Sequence, residues 1–215
     1  MRTSFLAAAC AVLASVWLGP LPDLARHSFA AHMTMHIAVV AVAAPLIALA
    51  IAGTAGDPVR AMPRLLAPIP ASMIELVIVW AWHVPALHHA ARHQLWALLA
   101  EQGSFIAAGV LLWISAVGGT LEQRRLRAGA GIFGLLFTSM HMTLLGALFA
   151  LANRPLFQHA STSASPLSLL ADQHLGGAIM LLVGGASYLA GGLWLTAVML
   201  RSQANPSHDR RASSV

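Results

Sequence analysis

The chain has no lysine, one cysteine and one tyrosine among its 215 residues, and charged side chains make up only 9% of it. Each scarcity excludes something. A soluble globular domain carries about 25% charged residues, so a water-filled exterior all round is ruled out. The single cysteine, Cys10, lies in a hydrophobic run, which leaves neither a disulfide framework nor a CxxC thiolate site. Any metal must therefore be held by nitrogen, oxygen or thioether. All twelve basic residues are arginine, split among short connections and tails instead of forming one patch, so the net charge of +5 does not point to nucleic acid. There is no H-E-x-x-H zinc-hydrolase motif and no nucleophile with an oriented base, so the chain is not expected to be an enzyme.

What the chain has is hydrophobic length. Apolar residues make up 58% of it, and six runs approach the roughly 20 residues a spanning helix needs. They cover residues 4–22, 29–52, 69–88, 95–118, 130–152 and 172–200. The expected fold is all-α: one integral-membrane domain over 1–215, a polytopic bundle of six spans with a short tail, 201–215. Placing the N-terminus in the cytoplasm puts Arg2, Arg60, Arg64, Arg124, Arg125, Arg127, Arg201, Arg210 and Arg211 inside and only Arg26, Arg92 and Arg154 outside. By the positive-inside rule both termini then face the cytoplasm. The first run, behind Arg2, also has the outline of a signal peptide, but no convincing A-x-A site follows, so a retained span is expected.

That topology sends the histidines to the outer half of the membrane. His32 and His36 open the second span, His83 closes the third, and His88, His89 and His93 fill the connection after it. His141 lies inside the fifth span, with Asp172 and His174 at the start of the sixth and His27 and His159 in outer loops. Only His208 falls inside. His32 and His36 share a helical face as an H-x-x-x-H pair, with Met35 close to that face. Two such imidazoles can chelate a transition metal, with the thioether available to Cu(I), or can simply be interfacial histidines bonded to neighbouring helices and headgroups. His141 is open in the same way, between a ligand and a core histidine bonded to a carbonyl, and one of its neighbours Met140 and Met142 can join it. Glu101 and Asp172 suit the role of carboxylates that orient ligating imidazoles from behind. Glu75, in the inner half of the third span, needs a partner such as Arg64 or a neighbouring helix, either as a structural pair or as a protonated acid. Gly177, Gly184 and Gly191 recur every seven residues along the sixth span, as do Ala178, Gly185 and Gly192, the pattern of a close helix–helix seam.

Four segments in order carry a resemblance: AHMTMHIAVVAVAAPLIALA, WAWHVPALHHAARHQLWALLAEQGSF, MHMTLLGALFALANRPLF and ADQHLGGAIM. Together, over residues 27–200, they resemble the integral-membrane CtaG family of cytochrome c oxidase assembly factors, which serve caa-type oxidases. The resemblance implies a multi-pass protein of the bacterial cytoplasmic membrane, in lipid, that meets cytochrome c oxidase subunits and handles copper while a haem–copper oxidase is assembled. Carried over by position, the matching residues are His32, His36, Pro45, His83, Pro85, Met140, His141, Asp172 and Gln173. Family members often place a histidine in the helix after the W-H-x-P motif, where this chain reads Glu101-Gln102-Gly103, and many are credited with seven spans. The expected metal set is His32, His36, His83, His141, His174, Met35 and Met140, with Asp172, Glu101 and Gln173 behind it. Two alternatives remain: a haem held between two histidines, His36 with His141 best placed, and a membrane oxidoreductase of the histidine-box type, for which the H-x-x-H-H box is missing.

Overall fold

Proline and glycine punctuate a chain that is otherwise helix-forming throughout. In a computed structural model, which describes residues 1–157 and 167–204, the main helices are α1 (Arg2–Leu18), α2 (Phe29–Ile51), α3 (Pro68–Trp82), α4 (Pro85–His93), α5 (Leu95–Val117), α6 (Leu121–Ala150) and α7 (Leu169–Arg201). Single turns at Leu21–Leu24 and Pro58–Ala61 complete the pattern, and no strand occurs among the described residues. His159 and His208 lie outside the described residues.

Four helices, α2, α5, α6 and α7, are long and apolar enough to cross a membrane. The third expected span is not one helix. Pro85 has no amide hydrogen to continue the ladder, so the chain stops at Trp82, turns through 73° and restarts as α4. Counted as one broken span, α3 and α4 make a fifth. The expected six is reached only by adding α1, an apolar helix of 17 residues. Two boundaries also move. The arginine-rich stretch before residue 130 is not a loop but the first turns of α6, which begins with a capping box between Thr120 and Gln123. Likewise α7 starts at Leu169, capped by the Ser168 hydroxyl.

One hydrophobic core runs through the bundle, from Phe29, Met33 and Met35 through Phe105 and Met142 to Leu112, Leu135 and Tyr188. Exposed Leu, Val and Phe side chains cover the outside, including Val77, Leu99, Phe133, Leu144 and Leu193. That inversion suits hydrocarbon and not water.

Two π-helical turns fix the registers that matter. One spans Ala38–Ala43 in α2, the other Met180–Gly184 in α7. A π-turn inserts one extra residue and frees carbonyls from the regular ladder. In α2 the Val40 carbonyl accepts from the Tyr188 hydroxyl at 3.1 Å and the Ala41 carbonyl from Ser187 at 2.8 Å. In α7 the insertion breaks the seven-residue glycine register expected from the sequence. A Cβ on Gly184 would press on Ile37 of α2, whereas Gly177 and Gly185 face Ala150 and Thr143 of α6. The rows that pack are Gly177–Gly185–Gly192 toward α6 and Gly176–Gly184–Gly191 toward α2 and α5. Each row steps by eight residues across the π-turn and by seven beyond it.

The two ends differ in chemistry. At one end Arg2 donates to the Ala52 carbonyl, Arg124 to Gly119, and Arg127 to Leu66 and Ser115. The buried Asp57 carboxylate accepts there from the amides of Gly53 (2.7 Å), Val59 (3.0 Å) and Gly119 (2.6 Å), tying the loops before α3 and α6 together. The other end holds the histidines.

Candidate metal centre

The buried cluster is assembled from four helices, each delivering its polar residues near the same end. α2 supplies His32 and His36, both with no exposed surface, and the break between α3 and α4 supplies His83. α4 supplies His88 and Arg92, α5 supplies Glu101, and α6 supplies His141. Ring centroids lie 4.7 Å apart for His32 and His88, 5.7 Å for His32 and His83, and 5.3 Å for His36 and His83. His36 and His141 are close enough to interact electrostatically. Phe29, Phe105, Phe149 and Phe157 wall the cluster, with Phe105 4.1 Å from the His36 ring.

Within this cluster His32, His88 and Glu101 each bring one donor atom to within 4.8 Å of the other two, and all three are buried. That is a nitrogen–nitrogen–oxygen set on three different helices, of the type that holds a transition metal. His32 Nδ1 stands 3.9 Å from Glu101 Oε2, too far for a hydrogen bond. Glu101 is therefore not a carboxylate placed behind an imidazole, as its spacing in the sequence had suggested. It stands beside His32, where its carboxylate can itself serve as a donor to a metal. Its Oε2 is held by Arg92 and by the Gln102 side-chain amide at 3.1 Å, and its Oε1 has no hydrogen-bond partner.

The proton inventory sharpens the picture. His83 Nδ1 lies 2.5 Å from the Val79 carbonyl, which can only accept. The proton is thus on Nδ1, and the Nε2 lone pair has no hydrogen-bond partner among the described residues. Among the described residues, both nitrogens of His32, of His36 and of His141 also lack one. A neutral imidazole has one N–H and one lone pair to satisfy. Leaving such a group buried and unmatched costs about 1–3 kcal/mol.

Several sequence candidates sit elsewhere. His174 Nε2 bonds the Ala152 carbonyl at 2.9 Å, just past the end of α6. Asp172 accepts from Ser28 Oγ (2.7 Å) and from the amides of Phe29 (2.5 Å) and Ala30 (3.4 Å), so it caps α2 from another helix and touches no imidazole of the cluster. Gln173 accepts from the Leu156 amide at 2.7 Å and donates to the Phe149 carbonyl at 3.4 Å. Three consecutive side chains of α7 thus staple three different backbone segments, and the D-Q-H run is architecture. Met140 is 60% exposed on the outer face of α6; its neighbour Met142 turns inward instead, as the 100° step between helical residues requires. Met35 is fully buried in the hydrophobic core.

Two further residues belong to the cluster. His88, expected in the connection after the third span, lies on a helix instead: Pro85 starts it at the first turn, and the helix buries His88 and Arg92 on one face. The signal in the sequence is Pro85 followed by a stretch free of glycine up to Gly103. Arg92, counted only as an outer charge, is the buried partner of Glu101. Glu75 finds its partner on a neighbouring helix and not in the exposed Arg64: the Tyr188 hydroxyl reaches it inside the bundle, on the same face of α3 as Val79 and His83.

The profile of the family described as cytochrome c oxidase caa3 assembly factor (CtaG) matches residues 1–202. The chain belongs to that family. No curated protein and no solved structure matches it. Membership accounts for all-helical membrane architecture and for a role in building cytochrome c oxidase. In the Glu101-Gln102-Gly103 segment it is Glu101 that offers a carboxylate to the cluster. Gln102 bridges Glu101 to α1, donating to Glu101 and accepting from Trp17 Nε1 at 3.1 Å.

Proposed function

We propose that this caa3 assembly factor binds a copper ion at His32, His88 and Glu101 and yields it to a cytochrome c oxidase subunit during assembly. His36, His83 and His141 form the adjoining imidazole layer toward the middle of the membrane. The observation that carries the reading is the absence of a hydrogen-bond partner, among the described residues, at either nitrogen of the fully buried His32, which stands 3.9 Å from the Glu101 carboxylate, whose second oxygen, Oε1, also lacks one. A bound cation takes one imidazole lone pair of His32 together with a carboxylate oxygen of Glu101, and offsets part of the desolvation these groups have incurred. Here copper is cargo, and a set of two imidazoles and one carboxylate is open enough to release it. Transfer is to the oxidase, the partner class that the family's role implies.

Direction follows from charge. The arginine-rich end, with Arg2, Arg60, Arg124 and Arg127, belongs in the cytoplasm by the positive-inside rule, which sets the histidine end on the outer side of the bacterial cytoplasmic membrane with both termini inside. A haem between His36 and His141 finds less support, because the Phe105 ring stands 4.1 Å from the His36 ring and Phe149 lies against His83. That packing suits a bare ion better than a macrocycle.

The test is His32→Ala in the chromosomal gene, with haem a absorbance and cytochrome c oxidation measured in membranes grown at limiting copper. Both fall while the assembly factor is still present, and added copper restores part of the loss, because weakened binding is offset by mass action. Full oxidase activity at limiting copper would end the copper reading for this cluster.

A further inference from the structure

α4 divides its histidines between two faces. His88 and Arg92, four residues apart, are buried, while His89 and His93, also four apart, are exposed. The His89 and His93 rings stand 4.2 Å apart, centroid to centroid. A cavity of about 250 Å³ joins the two faces, and its lining includes His88, His89, Arg92, His93 and Phe157. Of these, His88 and Arg92 also belong to the buried cluster, so the cavity reaches the edge of the His32–His88–Glu101 set through His88.

We propose that His89 and His93 form an outer copper-binding station at the mouth of this cavity, from which the ion passes to His88 and then to the buried set. Imidazoles at i and i+4 on one helix can close on a single ion. Two nitrogen donors on an exposed surface hold it weakly, as a loading station must. The cation most able to repel an incoming ion at this point is Arg92, and its guanidinium is committed to Glu101, which cancels its charge where the ion passes. Because α4 is separated from α3 by the break at His83, the outer pair, the shared His88 and Arg92 all ride on one short rigid segment.

This inference rests on the copper reading of the buried cluster, and the experiment separates the two. The full chain, purified in detergent, is titrated anaerobically with Cu(I) as its acetonitrile complex, and both stoichiometry and the rate of loading are followed. The expected wild-type capacity is two ions per chain. The double substitution His89→Ala/His93→Ala, on exposed positions, should leave one ion per chain and slow its loading about tenfold, since the local supply at the cavity mouth is lost. His32→Ala/Glu101→Ala should also leave one ion, held weakly and exchanging rapidly, which supports the outer station. Unchanged capacity and loading rate in the His89/His93 variant overturn the outer station, while loss of an ion only in the His32/Glu101 variant leaves the buried reading standing. Should the His32/Glu101 variant retain both ions, the buried set fails and the outer pair is judged on its own substitution.

Discussion

The Arg92–Glu101 pair is the most informative place to perturb the molecule, because it separates folding from metal binding. Both side chains are buried, at 2% and 0% exposure, and they meet directly. Removing one partner of such a pair leaves an uncompensated charge, at a cost of about 3–5 kcal/mol, whereas replacing both by neutral groups of similar volume is near neutral. Glu101→Gln should therefore destabilise the bundle by that amount, part of it through a guanidinium whose Nε already lacks a partner. Arg92→Met combined with Glu101→Gln should recover most of the loss. Copper behaves differently: Glu101 supplies the only oxygen of the buried set, so both variants bind it poorly. The assay is a double-mutant cycle on unfolding in mixed detergent, read alongside copper retention on the same samples. A Glu101→Gln protein as stable as wild type refutes the buried-pair argument. A double variant that recovers copper along with stability refutes the role of Glu101 as a ligand.

Other expectations follow from the hydrogen bonds. Asp172→Ala removes the acceptor for Ser28, Phe29 and Ala30 and should cost about 1–2 kcal/mol, since Ser28 still caps Ala31 but the first amides of α2 lose their partner; hydrogen exchange should accelerate at Phe29 and Ala30 first, and unchanged exchange would refute that role for Asp172. Asp57→Ala strips three amides at the opposite end; at about 1–3 kcal/mol per orphaned group it should lower the thermal midpoint more than Asp172→Ala does, with copper content per folded chain unaffected. The Tyr188 hydroxyl has one proton, two close oxygens and a position deep in the bundle. If that proton serves the Val40 carbonyl, the Glu75 carboxyl donates in its turn, so Glu75→Gln, which retains a donor, should be tolerated in detergent melts and Glu75→Ala should not. Gly185→Leu should separate α6 from α7, because Thr143 and the Ser139 carbonyl lie where the side chain must go; a correctly folded variant with an unchanged midpoint would argue against the seam.

Much of this was legible in the sequence, for identifiable reasons. Hydrophobic length announced the helices, Pro85 announced the break beside His83, and the spacing of His32 and His36 placed both on one face. Periodicity failed where the backbone departs from an α-helix. The seven-residue glycine series is regular in the sequence, but the π-turn at Met180–Gly184 shifts it by one residue in space. Nothing in the composition of MLLVG marks such a turn; it is fixed by packing against α2 and α6. The site was legible in its residue types more than in its roles. Asp172, Gln173 and His174 look like ligands and their supports, yet each serves a backbone segment brought near only by tertiary folding. Conversely, His88 and Arg92 read as residues of an outer connection facing water until α4 folds back and buries one of its faces. Glu101 read as a support for ligands, and only the approach of α2 to α5 sets it beside His32 as a donor.

The central claim, a copper ion at the buried cluster, is tested most directly by X-ray absorption at the copper edge on protein purified from native membranes, beside the same preparation of His32→Ala. The account predicts bound copper in the wild-type protein with nitrogen and oxygen neighbours and imidazole scattering, and a lower copper content in the variant, where only the weakly held ion of the outer pair remains. Copper bound chiefly by sulfur, or an identical spectrum and metal content in the His32→Ala protein, would contradict it.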